Sequence, residues 1–132
     1  MMAIEGEIIT RLLADGTVSG IVSTRGYGQR VPQGETVPYF VLRRISEVGF
    51  HAHDGPLSDR TVRLQIDSVD DDHADAETLA DAIESSLDGF QGTITTRKIG
   101  FIKFAGGGPV GYDDGREQHR VVRDYNVGYK ET

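Results

Sequence analysis

The chain contains no cysteine, so disulfide bonds and thiolate chemistry are excluded. Long apolar runs are also absent, whereas a membrane-spanning helix needs about 20 consecutive apolar residues. The first residues carry neither the basic nor the apolar segment of a secretory leader. We therefore expect no membrane partner and no signal peptide.

The chain has fewer basic than acidic residues. Fourteen Lys and Arg residues stand against 21 Asp and Glu, for a net charge of −7. Affinity for nucleic acid comes mainly from clustered Lys and Arg, so this balance argues against a surface that grips phosphate. An acidic surface still lets DNA pass close by. The 132 residues favour one domain, spanning 1–132, and the 37% hydrophobic content supports one modest core.

A strand and a helix in the middle of the chain form its clearest unit. Residues 60–69 alternate between apolar and polar side chains, which predicts a strand with one buried face. The apolar face consists of Val62, Leu64 and Ile66, and the polar face of Arg63, Gln65 and Asp67. An apolar stripe at helical spacing follows, formed by Ala76, Leu79, Ala80, Ile83 and Leu87. We expect the two apolar faces to pack together.

The other elements are predicted around this unit. The patterns indicate a first helix over 2–14, a short helical turn through Val18 to Val22, and further strands over 37–48, 94–104 and 117–129. In the last strand Arg120, Val122, Asp124 and Asn126 share one face. The order α-β-β-α-β-β predicts an α+β fold, with a four-stranded antiparallel sheet and both helices on one face.

Local signals mark the helix ends. Asp15 and Gly16 are expected to end the first helix, with the glycine as a left-handed cap. Asp71 or Asp72 is expected to cap the second helix, and Gly89 to end it. Two Gly-rich segments, 23–36 and 105–115, are predicted to be exposed loops that carry partner contacts.

One cluster is typical of a metal site. His51, His53 and Asp54, with His73 as a further candidate, could serve a small metal-dependent hydrolase. The alternative is a polar hairpin tip, because a catalytic zinc site needs a third well-placed ligand and supporting contacts.

Two other segments have simpler explanations than chemistry. The segment 106–111 is rich in glycine, but it lacks the Lys-Ser/Thr of a phosphate-binding loop and does not lead into a helix. The run 70–72 lacks the spaced oxygen ligands of a calcium loop, so helix capping is favoured.

No catalytic constellation is visible, so the residues favour an assembly or interaction module over an enzyme. The arginines around the first loop are either a contact patch for an acidic partner or scattered solvated charge. The candidate contacts for a partner or a second copy are Arg25, Tyr27, Arg30, Arg43, Arg44, Arg63, Gln65, Asp67, Gly106, Gly107, Gly108 and Tyr112.

Several segments together resemble the tail-completion, or tail-terminator, proteins of long-tailed phages, prophages and gene-transfer particles. The resemblance covers nearly the whole chain. Its most telling parts are the Pro-Gln-Gly and Val-Pro-Tyr junction over 32–39 and the strand Arg-Leu-Gln-Ile-Asp over 63–67. The other matching segments are 12–15, 40–42, 44–46, 54–56, 87–90 and 112–114.

The resemblance implies a structural role without catalysis or cofactor. Such a protein forms a ring, usually a hexamer, at the head-proximal end of the tail tube. The ring ends tube polymerisation and offers a docking surface to the head-completion or connector protein, while DNA crosses its lumen without specific binding. The implied location is the virion tail, after assembly in the bacterial cytoplasm. Another neck component, a head-completion or stopper protein, is the alternative.

Overall fold

Three helices lie on one face of a mixed β-sheet. The computed structural model describes residues 4–49, 59–94, 97–107, 111–113 and 118–130. The helices are α1 (Ile4–Ala14), α2 (Gly16–Val22) and α3 (His73–Leu87). The strands are β1 (Gly26–Gly28), β2 (Tyr39–Gly49), β3 (Asp59–Asp70), β4 (Gly92–Ile94), β5 (Arg97–Gly107), β6 (Gly111–Asp113) and β7 (Gln118–Lys130).

The long strands β2, β3, β7 and β5 form the antiparallel centre of the sheet. The full order is β1-β2-β3-β7-β5-β4, and β6 also pairs with β7. Along β7, β5 pairs with residues 123–130 and β6 with 118–120, so β5 and β6 successively occupy the same side of that strand. Strand β1 pairs with β2 in parallel, which makes the sheet mixed.

The core lies between the sheet and the helices. Val62, Leu64 and Ile66 of β3 are all buried, as the alternation predicts. The buried residues of α3 include the whole predicted stripe: Ala76, Leu79, Ala80, Ile83 and Leu87. Leu79, Ile83 and Leu87 form one cluster with these strand residues and with Ile4, Ile8 and Leu12 of α1. Ala76 and Ala80 pack with Val121 of β7 in a second, smaller cluster. The central strand–helix unit is therefore confirmed. In the described part of the chain, no helix is long and apolar enough to cross a membrane.

The expected four-stranded antiparallel sheet with two helices is wrong. The sheet has six strands in one path and a third helix is present. The missed strand β1 is Gly-Tyr-Gly, a composition with little β propensity. β1 is a strand because it pairs with β2. The Phe40 ring of β2 lies so close over Gly26 that a Cβ at that position would clash with the ring, so the contact requires a glycine there.

The first helix ends at Ala14, as expected, but the expected glycine cap is wrong. Asp15 does not close α1 with a glycine cap; it begins α2, and its carboxylate accepts hydrogen bonds from the backbone N–H groups of Thr17 and Val18 at 2.9 and 3.2 Å. At α3 the N-cap is Asp72, but its side chain makes no capping hydrogen bond. Gly89 takes a φ of +84° just after α3 ends, as expected of a residue that follows a helix.

The two predicted Gly-rich loops contain strand residues. β1 lies within the segment 23–36. Gly106 and Gly107 are paired with Asp124 and Arg123 of β7, so they extend β5 rather than forming a loop. The predicted strand over 94–104 is split between β4 and β5, which pair with each other antiparallel, with Ile94 opposite Arg97.

Candidate partner-binding surface

The sheet face opposite the helices carries a connected set of polar side chains. Strand register places Arg43 of β2 opposite Gln65 of β3, and Gln65 opposite Asp124 of β7. Side chains on this face therefore come from three neighbouring strands. We call Arg43, Arg63, Gln65, Asp67, Arg120 and Asp124 the polar face.

Asp67 is the buried centre of the polar face, with only 2% of its surface exposed. Its carboxylate accepts hydrogen bonds from Arg43 Nη2 at 3.3 Å, Arg120 Nη1 at 2.7 Å and Gln65 Nε2 at 3.2 Å. The two arginines reach it diagonally across the ladder, a span that long side chains cover. The two arginines compensate the buried charge of Asp67. Together the three side chains carry a net charge of one positive unit, which lies at the surface.

Arg63 and Asp124 form a second pair on the same face. Arg63 Nε donates to Asp124 Oδ2 at 2.9 Å, and the Arg63 side chain is 44% exposed. Asp124 Oδ1 is buried and accepts no hydrogen bond from any described residue. This carboxylate keeps an unused acceptor, which a group from another molecule would satisfy.

The structure brings together only some of the predicted contact residues. Arg43, Arg63, Gln65 and Asp67 share the polar face, whereas Arg44 points to the helix side and pairs with Glu5. The burial of Asp67 departs from the expected wet face. Arg120, which the candidate set omits, is as much part of the polar face as Arg43. The alternation in the last strand puts Arg120 on one face with Asp124, but only the pairing of β7 with β3 brings Arg120 next to Asp67.

The residues around the first loop lie along β1 and its flanks. Arg25 Nε donates to the carbonyl oxygen of Pro38 at 2.8 Å, so this guanidinium holds the chain beside β2. The Tyr27 ring contacts the ring of buried Tyr39 edge to face, with centroids 6.4 Å apart. Arg30 is exposed and makes no ion pair within the described residues. Of these three, only Arg30 offers a charge that the fold itself does not use.

The remaining candidates lie on β5 or β6, next to β7, or outside the described residues. Gly106 and Gly107 are ladder residues, and Tyr112 lies on β6 opposite His119 of β7. Gly108 lies outside the described residues, as do His51, His53 and Asp54, so the metal hypothesis stays untested. His73 is described: its Nε2 lies 3.5 Å from the Glu77 carboxylate, and its ring contacts that of His119.

A family model and a solved structure relate this fold to known proteins. The model of the tail completion protein gp17 family matches residues 6–129. The fold is similar to that of a chain in the virion of a native gene transfer agent particle, with a TM-score of 0.74 and 17% sequence identity. That alignment covers 98% of this chain and 96% of that chain, and at this identity it shows a shared fold. No curated protein matches the chain. Because the family model spans nearly every described element, the chain belongs to the tail completion protein gp17 family.

Proposed function

We propose that six copies of this protein form a ring at the head-proximal end of a phage-type tail tube. The ring stops tube polymerisation and offers the docking surface for the head-completion or connector protein. Membership of the tail completion family over residues 6–129 is the observation that carries the proposal. The role is structural, and the protein acts in the virion tail after assembly in the bacterial cytoplasm.

The sheet supports assembly through its edges. The strand path ends at β1 on one side and at β4 on the other. Each covers only three residues of its neighbour, so most of the outer edge of β2 and of β5 has no strand partner within the described residues. Edge strands carry unpaired backbone groups and are ready surfaces for another chain. A ring needs two different surfaces that meet head to tail, and two dissimilar edges provide them.

The polar face and the β1 edge are the proposed contact regions. Arg43, Arg63 and Arg120 present cationic groups that are already oriented by carboxylates, so little side-chain freedom is lost when a partner binds. Arg30 adds an exposed cation beside β1. We propose that these groups meet the tail-tube protein, the head-completion protein or a second copy of this chain.

The net charge of −7 supports a role around passing DNA. A ring of such subunits repels phosphate on average, so DNA crosses the lumen without being held there.

Removing the gene from a particle-producing strain tests the function. We expect tail tubes without defined length and heads without tails, measured by negative-stain electron microscopy, and restoration when purified protein is added. Normal head-joined tails without the protein would overturn the proposal. Protein bound to tailless heads rather than to headless tails would favour the other neck component instead.

A further inference from the structure

A basic groove lies at one end of the polar sheet face. It has a volume of about 340 Å³ and is lined by residues that include Arg60, Lys98, Phe101, Gly128 and Lys130. The Phe101 ring lies directly over Gly128, where any Cβ would clash with the ring, so the glycine makes room for an aromatic wall. Lys103 extends the positive charge, with its ammonium nitrogen 5.6 Å from the Phe101 centroid.

Several cations lie close together in this groove. Lys98 and Lys130 are directly opposite each other in the β5–β7 ladder. Lys130 also lies opposite Asp59 in the β3–β7 ladder, so Lys98 is the lysine of this pair that has no ion pair within the described residues. Elsewhere in the described residues most arginines have a carboxylate or carbonyl partner, whereas Lys98 and Lys103 are exposed and have no ion pair. Crowded positive charge in a protein of net charge −7 points to an anionic occupant.

An acidic segment lies at the opposite end of the same strand. β3 runs from Asp59, beside the groove, to Asp70, and its 12 residues span roughly 36 Å at about 3.3 Å per residue. Asp71, Asp72 and Asp75 follow at the start of α3, all exposed and without an ion pair to the described residues. Acidic residues favour a helix N-terminus, but the capping hydrogen bond that would explain Asp72 is absent.

Asp70 lies among the like charges of this acidic segment. Burial raises the pKa of the Asp70 carboxyl; the backbone hydrogen bond from Asp71 opposes this, and the charges of Asp75, Asp71 and Asp72 raise it further. Cations from another molecule would offset these negative charges. The same subunit thus carries a basic groove in which Lys98 and Lys103 have no ion pair within the described residues, and an acidic segment at the far end of β3.

We propose that the acidic segment 70–75 of one copy docks into the basic groove of the next copy, head to tail. The two surfaces differ from each other, so the contact is heterologous and each copy uses one surface of each kind. Repetition of such a contact closes a ring when the rotation between copies divides a full turn. The inference rests on the proposed ring function and names the surfaces that form it.

Two charge-reversed variants test the docking. The groove variant is Lys98→Glu with Lys103→Glu, and the acidic variant is Asp71→Lys with Asp72→Lys. None of the four native side chains has an ion pair within the described residues, so folding is expected to survive, as checked by the thermal melting midpoint. Each variant alone should lose at least about tenfold in its ability to complete tails in extracts that lack the native protein, by analogy with other like-charge contacts at interfaces.

An equal mixture of the two variants is the decisive measurement. Alternating copies place the glutamates introduced into the groove against the lysines introduced into the acidic segment, while the other interface keeps its native charges. An alternating ring closes with an even number of subunits, which a hexamer has. We expect the mixture to recover completion to within about threefold of the native protein, as expected when only charge pairing is exchanged.

The outcomes separate this inference from the proposed function. Native protein that fails to complete tails would overturn both. Native protein that works, with either variant as active as the native protein or with a mixture no better than its components, would overturn the docking alone. Recovery in the mixture also shows that both variants fold.

Discussion

A buried ion pair ties the first helix to the sheet. Glu7 of α1 is fully buried and its carboxylate accepts hydrogen bonds from Arg97 of β5, which is 5% exposed. In the sequence Glu7 adjoins the apolar residues Ile8 and Ile9, and the fold buries its carboxylate with them. A charge is tolerated there because its partner is buried with it, whereas an isolated buried charge is very costly.

Replacing Glu7 alone should therefore be costly. We expect Glu7→Gln to lower the free energy of unfolding by about 3 kcal/mol, because the buried Arg97 guanidinium loses its carboxylate partner. Glu5→Gln is the matched control on the same helix, since the Glu5–Arg44 pair is partly solvent-exposed and such pairs contribute at most about 1 kcal/mol. Urea unfolding measures both. Equal losses would show that the Glu7 pair behaves as a surface pair.

At the scale of elements, most long segments follow from their periodicity, and the short ones do not. β3 and α3 have the predicted apolar faces because one face of each must leave water. β1, β4 and β6 have three residues each, too few to show a period. Their pairing with β2, β5 and β7 decides their conformation.

The two aspartates that begin helices should differ in their effect on stability. Asp15 caps α2 with two hydrogen bonds, whereas Asp72 makes no capping hydrogen bond at α3. We expect Asp15→Ala to reduce the free energy of unfolding by about 1 kcal/mol, the usual value of a lost cap. Asp72→Ala is the control and should change it by less than about 0.5 kcal/mol, as surface substitutions usually do. Chemical denaturation followed by circular dichroism measures both, and an equal loss would contradict the capping role of Asp15.

At the scale of the whole molecule, charge is separated rather than uniform. The chain carries −7 overall, yet basic side chains gather at the groove around Phe101 and acidic ones at the start of α3. The polar face between them is largely neutralised by its own ion pairs. Such a distribution suits contacts between copies better than a continuous grip on phosphate.

This distribution predicts poor binding to duplex DNA. Non-specific DNA-binding proteins typically have dissociation constants of about 10⁻⁴–10⁻⁶ M at physiological salt, from many phosphate contacts. We expect this protein to bind a labelled duplex more weakly than about 10⁻⁴ M under the same conditions, measured by fluorescence anisotropy. Micromolar binding that weakens steeply with salt would contradict free passage of DNA through the lumen.

The candidate surface could be predicted from the sequence only in part. Alternation put Arg63, Gln65 and Asp67 on one face of a strand, and that relation holds. It could not show that Asp67 is buried, because the burial comes from neighbouring strands and from the arginines that lie over it. The alternation also could not show that Arg43 and Arg44 have different roles. In the structure Arg43 lies on the polar face and pairs with Asp67, whereas Arg44 lies on the helix side and pairs with Glu5.

The sequence by itself determined the strand–helix core, because apolar periodicity of two and of 3.6 residues is a property of each segment alone. The spread of matching segments also indicated the tail-completion family. Only the tertiary structure decided the number of strands, the parallel pairing of β1, the partner of Glu7 and the joining of Arg120 to Asp67. Each of these depends on contacts between residues far apart in the chain, which no local pattern records.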